Sequence, residues 1–102
     1  MNRTSTPQRL VIGAGSVPSL ARHVKLRHDA ARDRWTLLAP ERVLTPDPIA
    51  LDVIKLCDGQ RSVDAIAQAL VGRYAAPKER ILTDVTVMLQ DLADKGVISA
   101  CA

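Results

Sequence analysis

From His23 onward the chain alternates: Val24 and Leu26 are apolar while Lys25 and Arg27 are polar, the period-2 pattern of a half-buried strand, closed by His28 and Asp29. A polar connection through Ala31, Arg32 and Asp33 leads to a second strand over Arg34 to Ala39, which carries Trp35, Leu37 and Leu38. The two strands predict a hairpin. Pro40 lacks the N–H that a ladder needs and interrupts the pattern; Glu41 to Thr45, with Val43 and Leu44, resumes it as a short third strand at the edge of the sheet.

The period then changes from two to that of a helix. Asp47 is placed to cap a first helix with Pro48 in its first turn, Ile49, Val53 and Leu56 follow at helical spacing, and Cys57, Asp58 and Gly59 close it, the glycine as a left-handed cap. Ser62 caps a second helix, with Asp64 in the first turn and Val63, Ile66, Ala67, Leu70 and Tyr74 on one face; Gly72 weakens its last turn. The third and longest helix starts near Pro77, runs through Ile81, Val85, Met88, Leu89 and Leu92, and stops at Lys95 and Gly96. Residues 1–22, punctuated by Gly13, Gly15 and Pro18, read as a flexible lead-in, 23–98 as the domain, and 99–102 as a short tail after Val97 and Ile98. Three antiparallel strands followed by three helices make an α+β domain.

A chain of 102 residues supports one such unit. Trp35 and Tyr74 are its only aromatic residues, so the core is built from Leu, Val, Ile and Ala and no base-stacking platform is available. The net charge of +3 arises from Lys and Arg scattered among Asp and Glu without a basic run, which favours a mixed solvated surface over a nucleic-acid face. Cys57 and Cys101 are far apart and have no metal-type spacing. No signal-peptide core and no membrane-length apolar run is present, so the expected compartment is the cytoplasm. His23 and His28 have no Ser or Cys beside them, Cys57 sits at a helix C-terminus where the field disfavours a thiolate, and no phosphate-binding glycine loop occurs. The expectation is a protein that is not an enzyme and has no cofactor.

Several segments, in this order and spacing, carry a resemblance: Pro18 to Leu20, Arg27 to Asp29, Leu37-Leu38-Ala39-Pro40-Glu41, Leu56-Cys57-Asp58-Gly59, Thr83-Asp84-Val85 with Leu89 and Leu92, and Gly96-Val97-Ile98. From Val24 to Ile98 the chain resembles the PqqD family of pyrroloquinoline quinone biosynthesis. The resemblance implies a winged-helix-like RiPP precursor recognition element. Such a peptide chaperone binds the precursor peptide PqqA and escorts it to the radical SAM enzyme PqqE, doing no chemistry itself. Thr45-Pro46-Asp47-Pro48 departs from the family pattern, in which a less proline-rich turn is expected after the third strand.

A binding site follows independently from the residues. An edge strand exposes unpaired N–H and C=O groups to which an extended peptide can add, and the long third helix can wall an adjoining groove. The candidate peptide-binding residues are Glu41, Arg42, Val43 and Leu44 on the strand, with Leu82, Val85, Thr86, Met88 and Leu89 on the helix. Arg42 is the candidate partner for acidic side chains of the peptide. A monomer is expected, with self-pairing of the edge strand as a hazard. The competing reading is a winged-helix DNA-binding module whose recognition helix opens at Pro77-Lys78-Glu79-Arg80; two basic residues and one acid make a thin base-reading surface.

Overall fold

Asp47 and Ser62 start two helices as their positions predict. The Asp47 carboxylate accepts from the Ala50 N–H at 2.7 Å and the Ser62 hydroxyl from the Ala65 N–H at 3.1 Å, each satisfying a donor the helix leaves free. The computed structural model describes residues 11–101. In them the elements run β1 (Val17–Leu20), β2 (Lys25–Asp29), β3 (Arg34–Ala39), β4 (Arg42–Leu44), α1 (Pro48–Lys55), α2 (Val63–Val71), α3 (Lys78–Asp94) and β5 (Ile98–Cys101). β2, β3 and β4 form an antiparallel sheet in that order, and β1 pairs antiparallel with β5 in a second, two-stranded sheet. The α+β expectation holds, with five strands in two sheets instead of three in one.

The additional strands lie where the sequence reading put a lead-in and a tail. Residues 1–10 are outside the described residues, but from residue 11 onward the supposed lead-in is built into the fold. Ile12 is 4% exposed and its N–H donates to Gln90 Oε1 of α3 at 2.8 Å. The carbonyls of Ala14 and Ser16 accept the N–H groups of Asp64 and Val63, so this stretch serves the first turn of α2. β1 then meets β5 with Val17 opposite Cys101 and Leu20 opposite Ile98, a pairing between the two ends of the domain.

Gly59 and Gly96 both have φ of +78°, a backbone that side chains with a Cβ rarely adopt. At the end of α3 the Gly96 N–H returns to Ala93 and the Val97 N–H to Leu92, the paired bonds of a Schellman stop that turns the chain into β5. Gly59 does not cap α1 directly: the helix ends at Lys55 with Leu56 as its cap, and Gly59 sits in the following turn, where its N–H donates to the Pro18 carbonyl of β1.

One core joins these parts. Leu37 of β3, Val53 and Ile54 of α1, Ile66 and Leu70 of α2, Val85 and Leu89 of α3, and Val97 before β5 are all buried. Tyr74, after α2, donates its hydroxyl to Asp52 of α1, and Arg73 meets the same carboxylate at 3.4 Å, tying the two helices together. The hydrogen bond from Tyr74 holds its phenol above the ordinary tyrosine pKa, with burial and the Asp52 charge adding to it.

Candidate peptide-binding groove

Pro40 and Glu41 form the turn between β3 and β4. With only these residues between them, Ala39 and Arg42 are the hydrogen-bonded closing pair, so by antiparallel alternation Leu38 and Val43 form a non-hydrogen-bonded pair. Val43 therefore turns its N–H and C=O away from β3, toward the outer edge. Among the described residues β4 pairs with β3 alone, so that edge is open.

Alternation also divides the side chains of β4. Leu44 lies opposite the buried Leu37 and packs against the core, and Arg42 shares its face, turned toward the helices. Val43 points to the other side of the sheet and is 66% exposed.

Between the end of β4 and α3 runs a trough of about 290 Å³, walled by Leu37, Leu44, Thr45 and Pro46 on one side, Asp47, Ala50 and Ile54 at its α1 end, and Met88, Asp91, Leu92 and Lys95 on α3. The proline-rich Thr45-Pro46-Asp47-Pro48 segment thus contributes a groove wall at Pro46, the α1 cap at Asp47 and the first turn of α1 at Pro48. Met88 also borders a second recess, an apolar one of about 170 Å³, which includes Ile49, Val53, Tyr74, Ile81 and Val85. The two recesses meet at this flexible side chain.

The helix residues chosen from sequence separate on the structure. Val85 is 4% exposed and Leu89 fully buried, so both belong to the core. Leu82 is half-buried against that core and is not among the residues of the trough, and Thr86 lines a different depression with Val87 and Gln90. The reason is angular: six residues along a helix rotate the direction by about 120° from Met88 to Leu82, because each step is about 100°. Met88 is the member of the helix set that faces β4, joined by Asp91, Leu92 and Lys95, which sequence reading did not select. Their signal was present, since Met88, Leu92 and Lys95 follow one another at i+4 and i+3.

Arg42 has no ion-pair partner among the described residues, whereas Lys95 and Asp91 pair across the trough's α3 wall at 2.9 Å. At the start of α3, Lys78 pairs with Asp64 at 3.1 Å and Arg80 with Asp84 at 3.8 Å. Both cations of the supposed DNA-reading helix are thus engaged within the chain.

No arrangement for covalent chemistry appears at Cys57 or the histidines. Burial, reinforced by the neighbouring Asp58 charge, pushes the Cys57 thiol up to about 12, and its S–H donates to the Val53 carbonyl at 3.2 Å. His28 meets Asp33 at 3.1 Å and packs on Trp35, over whose ring Lys55 also lies at 4.4 Å. Native protein at pH 8 is expected to leave Cys57 unmodified by iodoacetamide over hours, with labelling appearing only in denaturant. Mass spectrometry of the Cys57 peptide checks this, and rapid native labelling would contradict the assigned burial.

The model of the family described as Coenzyme PQQ synthesis protein D (PqqD) matches residues 34–98. A PqqA binding protein of Bradyrhizobium diazoefficiens is 53% identical over 93 residues, 91% of this chain and 90% of its own length. One from Gluconobacter oxydans is 40% identical over 88 residues, 86% of this chain and 92% of its own. Among solved structures, the solution structure of the PqqD truncation of Methylobacterium extorquens PqqCD, described as a functional and stand-alone RiPP recognition element, is 42% identical with a TM-score of 0.73; the match covers 87% of this chain and 95% of that one. The crystal structure of PqqD from Xanthomonas campestris is 40% identical with a TM-score of 0.50, covering 93% of each chain.

Proposed function

The chain belongs to the PqqD family, and from that membership and the open edge of β4 we propose that it binds the precursor peptide PqqA as an added strand and presents it to the radical SAM enzyme PqqE. It is a non-catalytic recognition protein of pyrroloquinoline quinone biosynthesis. It works in the cytoplasm as a monomer; among the described residues no helix is long and apolar enough to cross a membrane.

The observation that carries the reading is the unpaired edge of β4 lying beside a trough lined by Leu44, Met88 and Leu92 between the charged Asp47, Asp91 and Lys95. In the binding step, PqqA extends along β4 and exchanges main-chain hydrogen bonds with Val43 and its neighbours, which fix direction and register. Side chains of the guest that point toward the helices enter the trough over Leu44 and Met88 and bury apolar surface there. Arg42 meets an acidic side chain of the guest; an exposed pair of this kind is worth under about 1 kcal/mol, so it steers while burial holds. Glu41 and Val43 contribute through the backbone.

Titration of the nitrogen-15-labelled domain with PqqA, followed by amide NMR, tests the reading. One-to-one binding with the largest shifts at Arg42, Val43, Leu44 and Met88 is the expected result. Largest shifts along β2, or no binding at high concentration by a folded sample, would contradict it.

A further inference from the structure

The chain's positive charge is not evenly spread once the side chains are paired. Arg61, Arg73, Lys78, Arg80 and Lys95 each lie within 4 Å of an aspartate, and Lys55 covers Trp35. Six other cations have no ion-pair partner among the described residues: Arg22, Arg42 on the helix side of β4, and Lys25, Arg27, Arg32 and Arg34. The last four gather on the outer side of the β2–β3–β4 sheet.

The register places them there. Directly opposed residues share a face: Lys25 stands beside Leu38 and Leu38 beside Val43, Arg27 beside Thr36, and Asp29 beside Arg34. Arg32, from the turn between β2 and β3, borders the same shallow hollow of about 450 Å³ as Arg27, Arg34, Leu38 and Val43. The one carboxylate on the face, Asp29, is engaged with its own turn, accepting the N–H groups of Ala31 and Arg32 at 3.1 and 3.4 Å. The result is an aliphatic pair at one end of the face, Leu38 and the 66% exposed Val43, followed along the sheet by Thr36 and by cations without partners.

We propose that this outer sheet face is the surface on which the carrier docks against an acidic patch of the modifying enzyme. The inference rests on the peptide-carrier reading and adds to it the surface that the enzyme contacts. Exposed aliphatic side chains beside unpaired charges suit a protein interface, and complementary charge on the partner sets orientation and association rate. Nucleic acid fits the face less well: no Trp or Tyr lines the hollow, and His28, which borders it, packs against Trp35 with the rings tilted by 44° where Lys55 of α1 also reaches Trp35. The face is also on the opposite side of the sheet from the trough between β4 and α3, so it stays open when a peptide occupies that trough. A strand added at β4 would carry its alternate side chains onto this same outer face, beside Val43, and the enzyme would contact carrier and guest together.

The test uses the full chain with Arg27→Glu and Arg34→Glu combined, and purified PqqE as the probe, with PqqA affinity measured in parallel by calorimetry. Both residues are exposed, and thermal unfolding verifies that the variant folds; Arg27→Gln with Arg34→Gln is the milder alternative if it does not. The expected result is PqqE binding at least about tenfold weaker in the charge-reversed variant, PqqA affinity unchanged within about twofold, and wild-type PqqE binding that weakens as salt rises. PqqE binding equal to wild type, with PqqA binding intact, overturns this docking surface and leaves the peptide-carrier reading standing. If wild-type protein binds PqqA and not PqqE, presentation to that enzyme and this surface fall together. Capture of a 20-base-pair DNA duplex by the wild type, lost in the same variant, would reassign the cations to phosphate.

Discussion

Leu89→Ala is expected to lower the unfolding free energy by about 3 to 4 kcal/mol, the middle of the range for truncating a large aliphatic side chain in a packed core. Leu89 is fully buried in the middle of α3, a helix that packs against α2 and β5. Removing its isobutyl group opens a cavity that these elements cannot all collapse to fill. Domains of this size are stable by only about 5 to 15 kcal/mol, so the loss would move a urea midpoint well outside measurement error. A shift below about 1 kcal/mol would contradict the placement of Leu89 in the core, and would restore it as a residue available to the peptide.

Met88→Asp separates the trough from the core on the same helix. Met88 is half-buried at the junction of the two recesses, so the substitution is expected to cost about 1 to 2 kcal/mol of stability and to leave the domain folded. Its effect on binding is larger. Burying one large apolar guest side chain against Met88 contributes about 1.5 to 3 kcal/mol, and a carboxylate in that position removes the contact and must itself be desolvated. Affinity for PqqA is expected to fall about 100-fold by calorimetry. Leu82→Asp, on the flank of α3 turned away from β4, is the contrast: its effect on PqqA affinity should follow whatever it does to folding.

The local parts of this fold were legible because local chemistry determines them. Asp47, Ser62 and Pro77 stand where the helices begin, Gly96 stands where α3 ends, and the range Arg34–Ala39 was readable from Trp35, Leu37 and Leu38 in a short run between the polar Ala31-Arg32-Asp33 connection and Pro40. β1 and β5 were not legible, because each is short and the pairing that makes it a strand joins opposite ends of the chain. Pro18 strengthened the misreading: proline signals a loop, yet in this two-stranded sheet its missing N–H is tolerated and its carbonyl receives Gly59.

The site was half legible for a related reason. A short strand after a proline-containing turn already implied an edge, and β4 is one. Which side of α3 faces that edge depends on how the helix is rotated on the core, a tertiary property that apolar periodicity leaves undetermined to within a flank. Hence Met88 faces the trough, Val85 and Leu89 lie beneath it, and Leu82 and Thr86 fall on the other side. The unpaired cations of the outer sheet face were invisible for the same reason, since pairing elsewhere is what makes Arg27 and Arg34 stand out.

Strand addition at β4 is tested most directly by Val43→Pro. Val43 turns its N–H to the open edge, so proline there removes no bond to β3 and is tolerated in the fold, while it deletes the donor and puts a ring in the path of an added strand. Val43→Thr keeps the N–H and serves as the control. Calorimetric titration with PqqA should find the threonine variant within about threefold of wild type and the proline variant at least about tenfold weaker, with both folded. Undiminished binding by a folded Val43→Pro protein would contradict strand addition and move the peptide off the β4 edge.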